Sequence, residues 1–316
     1  MQRLGFHVPQ PEVAADPTNP RGFAESKWAV DFHIGLLKRA RVLIADARPA
    51  AWAQTARVGL DAGAQRELGS WLADQFGSAD HIIIKDPRLS WFLPLWRRAA
   101  EEVGAAPKVA TVLRHPAAVI DSKQRSYGGW QGDVERTAGW VNQVLFTERA
   151  TRDTPRFFVK YRDLLDDWTR EIGRAGELLD LAVIRDVPAS TIVQTHDFVD
   201  HSLSRSRETW DEFEIPDGLR ELADEVWELV SRLVEDGADG DEQLTERLEE
   251  ARAAYIRLYE DAEAIAQSSV TAAGHHAGAR ESRLAGLAKR VPKRYRRKLP
   301  IRWRMAVARA LARRGS

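Results

Sequence analysis

Arg114 stands at the end of a short apolar run, Val109 to Leu113, and Ser122 follows it by eight residues. The run is rich in apolar residues and too short for a helix, so it reads as a buried strand. Pro116 suits the first turn of a helix, where a missing N–H costs nothing, and that helix carries Ser122. An arginine at a strand's carboxyl end, a proline-started helix and a serine one or two turns in are the parts of a phosphate site; the alternative is a surface arginine at a strand end and a serine on an exposed helix face. The guanidinium offers a two-pronged fork, and the helix adds its N-terminal dipole and a hydroxyl. In open α/β sheets, ligands sit beyond the carboxyl ends of the strands, where Arg114 falls. Lys85 holds the same kind of place after a second apolar run, His81 to Ile84, and leads into Asp86-Pro87-Arg88. A third run, Arg156 to Lys160, leads into Tyr161-Arg162-Asp163-Leu164-Leu165.

These segments, taken in order with Asn19-Pro20-Arg21-Gly22-Phe23-Ala24-Glu25-Ser26, resemble bacterial sulfotransferases that use 3′-phosphoadenosine 5′-phosphosulfate. The resemblance spans residues 19 to 165 and implies a role for each motif. Arg114 and Ser122 would hold the nucleotide's 3′-phosphate. Lys85 would contact the transferring sulfonate and the bridging oxygen. Tyr161 would lie near the nucleotide, and Arg205, in His201-Ser202-Leu203-Ser204-Arg205, or Arg207 would add to the 3′ site. Pro87 stands where many animal members carry a basic histidine; some bacterial carbohydrate members use a glutamate instead, and the resemblance implies Glu25 as the base, with Asp31 and His33 behind it, against the plain reading of a first-turn helix glutamate. Arg88 either assists Lys85 or pairs with Asp86. The co-substrate would be 3′-phosphoadenosine 5′-phosphosulfate, with no metal. The acceptor would be a hydroxyl on a carbohydrate, glycolipid or small metabolite. The family's opening strand, glycine- and serine-containing loop and helix, which bind the 5′-phosphosulfate, have no counterpart here. Met1 to Pro9 resembles the end of that helix. A start upstream of Met1 is the expectation. The alternative is an inactive sulfotransferase-like binding protein attached to a membrane or partner.

The elements that must position these residues alternate. Helical spacing marks Phe23 to Arg41, a helix capped by Asp61 and stopped by Gly77, Pro94 to Val103, 116–127 and Val134 to Arg152. Strands are expected at 81–84, 109–113 and 157–160, the last followed by one helix carrying Leu164, Leu165, Trp168 and Ile172. Alternation of this kind argues for a parallel sheet covered on both faces. The fold class is α/β, and the resemblance implies a three-layer, P-loop-like sheet flanked by helices with helical C-terminal additions. Leu181 to Phe198 reads as room for one more short strand, while Leu219 to Leu233 and Glu242 to Ala266 are amphipathic helices. The expected division is a domain at 1–267, a linker of small residues at 268–279 and a basic tail at 280–316.

The chain has 316 residues, enough for a full core, and no cysteine. That excludes disulfides, a thiolate nucleophile and thiolate metal sites, and accords with a cytoplasmic setting. No apolar run reaches the roughly 20 residues of a membrane span. The formal net charge of zero hides a division: from Arg280 onward fourteen Lys and Arg face a single Glu281, about +13, leaving about −13 elsewhere. Trp303, Val307, Ala310 and Leu311 share a stripe among the tail's arginines, a pattern for peripheral membrane or partner contact. No module that reads nucleic acid accompanies it. His275 and His276 lack further ligands nearby and read as solvated. Trp52, Trp91 and Trp130 are candidates to stack on a sugar, set against ordinary core packing.

Overall fold

The computed structural model describes residues 1–17, 19–127, 131–199, 208–235 and 237–290; at residues 126, 127, 270 and 272–290 only the backbone is described. The fold is mixed α/β and mostly helical. Four helices, α1 (Lys27–Ala40), α2 (Ala51–Gly59), α3 (Ala62–Phe76) and α4 (Leu93–Glu102), precede strand β1 (Val109–Leu113). Helices α5 (Pro116–Tyr127) and α6 (Asp133–Ala150) lead to β2 (Arg156–Lys160). Then follow α7 (Tyr161–Asp166), α8 (Trp168–Leu178), α9 (Ala182–Arg185), α10 (Ala189–Phe198), α11 (Asp217–Arg232) and α12 (Glu242–Arg290).

Local chemistry accounts for several of these boundaries. The Asp61 carboxylate accepts from the Ala64 N–H at 3.0 Å and caps α3, whose Leu68 and Leu72 are fully inside. Burying a leucine in this way contributes about 1.5–3 kcal/mol. Helices α1, α3 and α4 enclose the largest core, with Phe32, Leu36, Leu68, Trp91, Phe92 and Leu95. Trp28 stacks on Trp71 at its edge, with centroids 4.2 Å apart. A second core lies against β2, where Phe157 and Val159 meet Ala175 and Leu179.

β1 and β2 run parallel, with Val109 opposite Arg156 and Leu113 opposite Lys160. Among the described residues these two strands make up the whole sheet. Residues 81–84, expected as a strand, form only a single parallel bridge, His7 to Ile82. Two backbone bonds fasten it, His7 N–H to the His81 carbonyl and Ile83 N–H to the His7 carbonyl. One short partner is too little to propagate a ladder, and Ile82, Ile83 and Ile84 stay half-buried.

Three further expectations are corrected. Residues 181–198 form no strand; they fold as α9 and α10, separated by Pro188, which sits at the N-terminus of α10. The single helix expected after β2 is two, because Asp167 ends α7 and caps α8, its carboxylate accepting from the Arg170 N–H. Residues 268–278, expected as a linker of small residues, are helical and lie inside α12. Alanines around Gly274 and Gly278 favour the helix enough to absorb about 1 kcal/mol per glycine. The chain divides into two units, Met1–Ile256 and Arg257–Ser316. In the first unit Leu244, Leu248 and Tyr255 of α12 are buried, and the Tyr255 hydroxyl donates to the Ala47 carbonyl. In the second, α12 continues with Ile265 exposed. The tail from residue 291 on lies outside the described residues.

Candidate functional site

Sequence-predicted residues meet in two places. The first is the turn Lys85-Asp86-Pro87-Arg88. The Lys85 ammonium donates to the Glu25 carboxylate at 2.6 Å, across 60 residues of chain. Glu25 is buried, its side chain only 9% exposed, while that of Lys85 is 52% exposed. The second Glu25 oxygen lies 3.8 Å from the Arg88 guanidinium. Arg88 is itself held by Asp86, which accepts from the Arg88 N–H at 2.8 Å and from its guanidinium at 2.7 Å. The alternative of Arg88 paired with Asp86 is therefore the one the fold adopts.

Behind this turn stands a buried relay. The Trp96 indole N–H donates to His33 Nε2 at 2.7 Å. Nε2 is thus an acceptor, so the proton of a neutral imidazole sits on Nδ1 and is donated to Asp86 at 2.8 Å. Burial pushes the Asp86 carboxyl up, but the His33 hydrogen bond, the Arg88 N–H and the Arg88 charge outweigh it and hold the group below its ordinary value. His33 is completely buried with both ring nitrogens engaged. It therefore positions Asp86 and does not face a substrate as the expected reserve base. Asp31, the other reserve, is exposed and paired with Lys27.

Glu25 owes its place to backbone geometry. Residues 11–13 and 25–27 exchange bonds, Val13 N–H to the Glu25 carbonyl and Lys27 N–H to the Pro11 carbonyl, both 2.8 Å. Ala24, just before it, takes φ +51°, a left-handed conformation that costs a non-glycine residue energy. The Gln143 side chain of α6 donates to the Pro87 carbonyl at 3.0 Å and to Ser90 at 2.8 Å, fastening the turn from its other side.

The second place is the carboxyl end of the sheet. Because Leu113 and Lys160 are paired, the next residues, Arg114 and Tyr161, emerge side by side. The guanidinium lies 4.9 Å from the Tyr161 ring centroid, a cation–π arrangement. Both line a cavity of about 270 Å³ together with Lys160, Arg162, Asp163, Glu208 and Trp227. Burial lowers the proton affinity of Arg114, with Tyr161, Asp121 and Glu208 acting against it; an arginine remains a cation regardless. His115, the neighbour of Arg114, lies between Trp210 and Trp227 with centroids 5.8 and 5.4 Å away. Burial lowers its proton affinity, against the pull of Glu208 and Asp224. Its Nδ1 is buried without a partner among the described residues.

Ser122 is half-buried on α5 and does not line this cavity. Arg205, Arg207 and Trp130 lie outside the described residues. Trp52 and Trp91 pack together at 4.6 Å in the interior, and Trp52 stacks on Phe146, so their role is core packing. Among the described residues no cluster of three or more His, Asp or Glu could hold a metal, and no helix is long and apolar enough to cross a membrane. Trp227, Glu208 and the His33–Trp96 contact were not foreseen from sequence. Trp227 sits in an amphipathic helix that reads as ordinary packing, and only its distant neighbours make it a cavity wall. Compared with family models, curated proteins and solved structures, the chain matches none of them.

Proposed function

We propose that the chain is a sulfotransferase of the three-layer, P-loop-like α/β class, taking a sulfonyl group from 3′-phosphoadenosine 5′-phosphosulfate to an acceptor hydroxyl. The observation that supports this most is the pairing of Arg114 with Tyr161 on one cavity at the carboxyl ends of two parallel strands, a place where α/β folds hold phosphorylated ligands. In this reading Arg114 takes the 3′-phosphate, with Arg205 as an expected helper; Ser122, which does not line the cavity, has no part in it. Tyr161 flanks the nucleotide. Lys85 balances charge on the sulfonate and on the bridging oxygen as the sulfur–oxygen bond to phosphate breaks. The acceptor oxygen forms the new bond to sulfur, its proton passes to Glu25, and adenosine 3′,5′-bisphosphate leaves. A carbohydrate, glycolipid or small metabolite would supply the hydroxyl, on analogy with the family the motifs resemble. The basic tail would add contact with a membrane surface or partner.

Calorimetric titration of adenosine 3′,5′-bisphosphate into the chain and into Arg114→Ala tests the reading. Binding in the parent and a loss of roughly tenfold or more in the variant is expected, since hydrogen bonds to charged groups contribute about 1.5–3 kcal/mol. No binding to either protein would end it.

A further inference from the structure

We infer that Glu25 is a built-in competitor for the anion that Lys85 serves: its carboxylate neutralises Lys85 at rest, and an incoming sulfuryl or phosphoryl group takes the ammonium over. This deepens the function proposed above, on which it rests for the identity of the anion but not for the competition.

Of the four members of the cluster, Lys85 is the one whose side chain reaches well into solvent. Arg88 is pinned by two bonds to Asp86, and Asp86 is anchored from behind by His33. Glu25 is buried on a segment whose backbone is bonded on both sides. Lys85 alone has a half-exposed side chain and a flexible stem. It can turn outward while its partner stays.

Charge also favours exchange over simple addition. Glu25 and Asp86 balance Lys85 and Arg88, so the resting cluster is neutral and offers an anion no net attraction. When Lys85 leaves, Glu25 retains Arg88 at 3.8 Å and is not stranded as a bare buried charge, which would be prohibitively costly. Arg88 Nε is buried without a partner among the described residues, a donor beside the exchange that Asp86 and Glu25 leave unused.

The probe is inorganic sulfate at low ionic strength, followed by chemical-shift titration in the parent chain, Glu25→Gln, Lys85→Met and the double variant. Glu25→Gln is expected to bind sulfate roughly two- to fivefold more tightly, the scale of one partly exposed ion pair. That gain should vanish in the double variant. Glu25→Asp, shorter but still charged, should fall between parent and Glu25→Gln and serves if the amide variant does not fold. Equal affinity in parent and Glu25→Gln, a gain that survives in the double variant, or no sulfate binding at all would overturn the inference. A sulfate gain without any binding of adenosine 3′,5′-bisphosphate would instead remove the nucleotide reading and leave the competition standing.

Discussion

The two halves of the candidate site are built on opposite plans. Around Lys85 every charge has a partner of opposite sign, and the scaffold behind is a dry relay of Trp96, His33 and Asp86. Around Arg114 the side chains border a cavity, where the guanidinium meets the face of Tyr161 and Arg162 stands 3.9 Å from Glu208. A neutralised, buried cluster holds geometry at the cost of affinity for a charged ligand. The Arg114 cavity is lined by Arg114, Lys160 and Arg162 against Asp163 and Glu208, an excess of one cation, beside the Trp227 indole.

The largest effect is expected from breaking the relay. His33→Leu removes a donor from Asp86 and strands the Trp96 N–H in the core, leaving a buried carboxylate with fewer bonds. A loss of about 2–4 kcal/mol in unfolding free energy is expected from the unsatisfied groups together. Denaturant titration measures it, and a change below about 0.5 kcal/mol would mean the relay holds nothing in place. The cavity at Arg114 should keep its ligand affinity in whatever fraction remains folded.

A smaller effect is expected at the seam that carries α6. A Cβ built at Gly139 would come within 2.7 Å of the Ala45 carbonyl oxygen, which is backbone and cannot swing aside. Three residues on, the Asn142 amide donates to the Asp46 and Arg48 carbonyls at 2.8 and 3.1 Å, holding the same loop against the helix. Gly139→Ala should therefore cost about 1–3 kcal/mol through forced separation. Because Gln143 on the same helix grips the Pro87 turn, the shift should disturb the Lys85 half more than the Arg114 half. Thermal unfolding and amide-shift mapping of the variant would check both parts.

The difference between the halves also marks what the sequence could reveal. Arg114, Tyr161 and Lys85 are legible because each follows a short apolar run, and the register of two parallel strands then carries Arg114 and Tyr161 to one wall. Asp61, Gly77 and Pro116 likewise announce α3 and α5 by capping chemistry that is local in the chain. The relay is not legible: His33 and Trp96 are 63 residues apart, and a histidine on an apolar helix face reads equally as a ligand or as core. Residues 81–84 mislead for a related reason. Three consecutive isoleucines carry a strand's propensity, but a strand needs a neighbour with a matching ladder, and the bridge to His7 is one residue wide. The segment at 268–278 misleads in the other direction, since small residues that suit a linker also suit a helix already propagating through them.

Acid should separate the halves without any mutation. The folded-state proton affinity of His115 is lowered from the usual value of 6.5, chiefly by burial between two indoles. A group depressed in the folded state contributes stability above its unfolded value, and that contribution is lost as the pH falls towards the folded one. The Arg114 half should therefore begin to loosen just below pH 6.5. Asp86 is lowered from 3.8, so by the same rule the Lys85 half keeps its stabilisation until the pH drops below about 4. Between those limits amide exchange in β1 and α11 should quicken while exchange in α1 and α4 holds. His115→Phe, which keeps the ring between Trp210 and Trp227 and removes the titration, should abolish the difference. If β1, α11, α1 and α4 loosen together in the parent chain, or the split persists in His115→Phe, then His115 is not what distinguishes the two halves in acid.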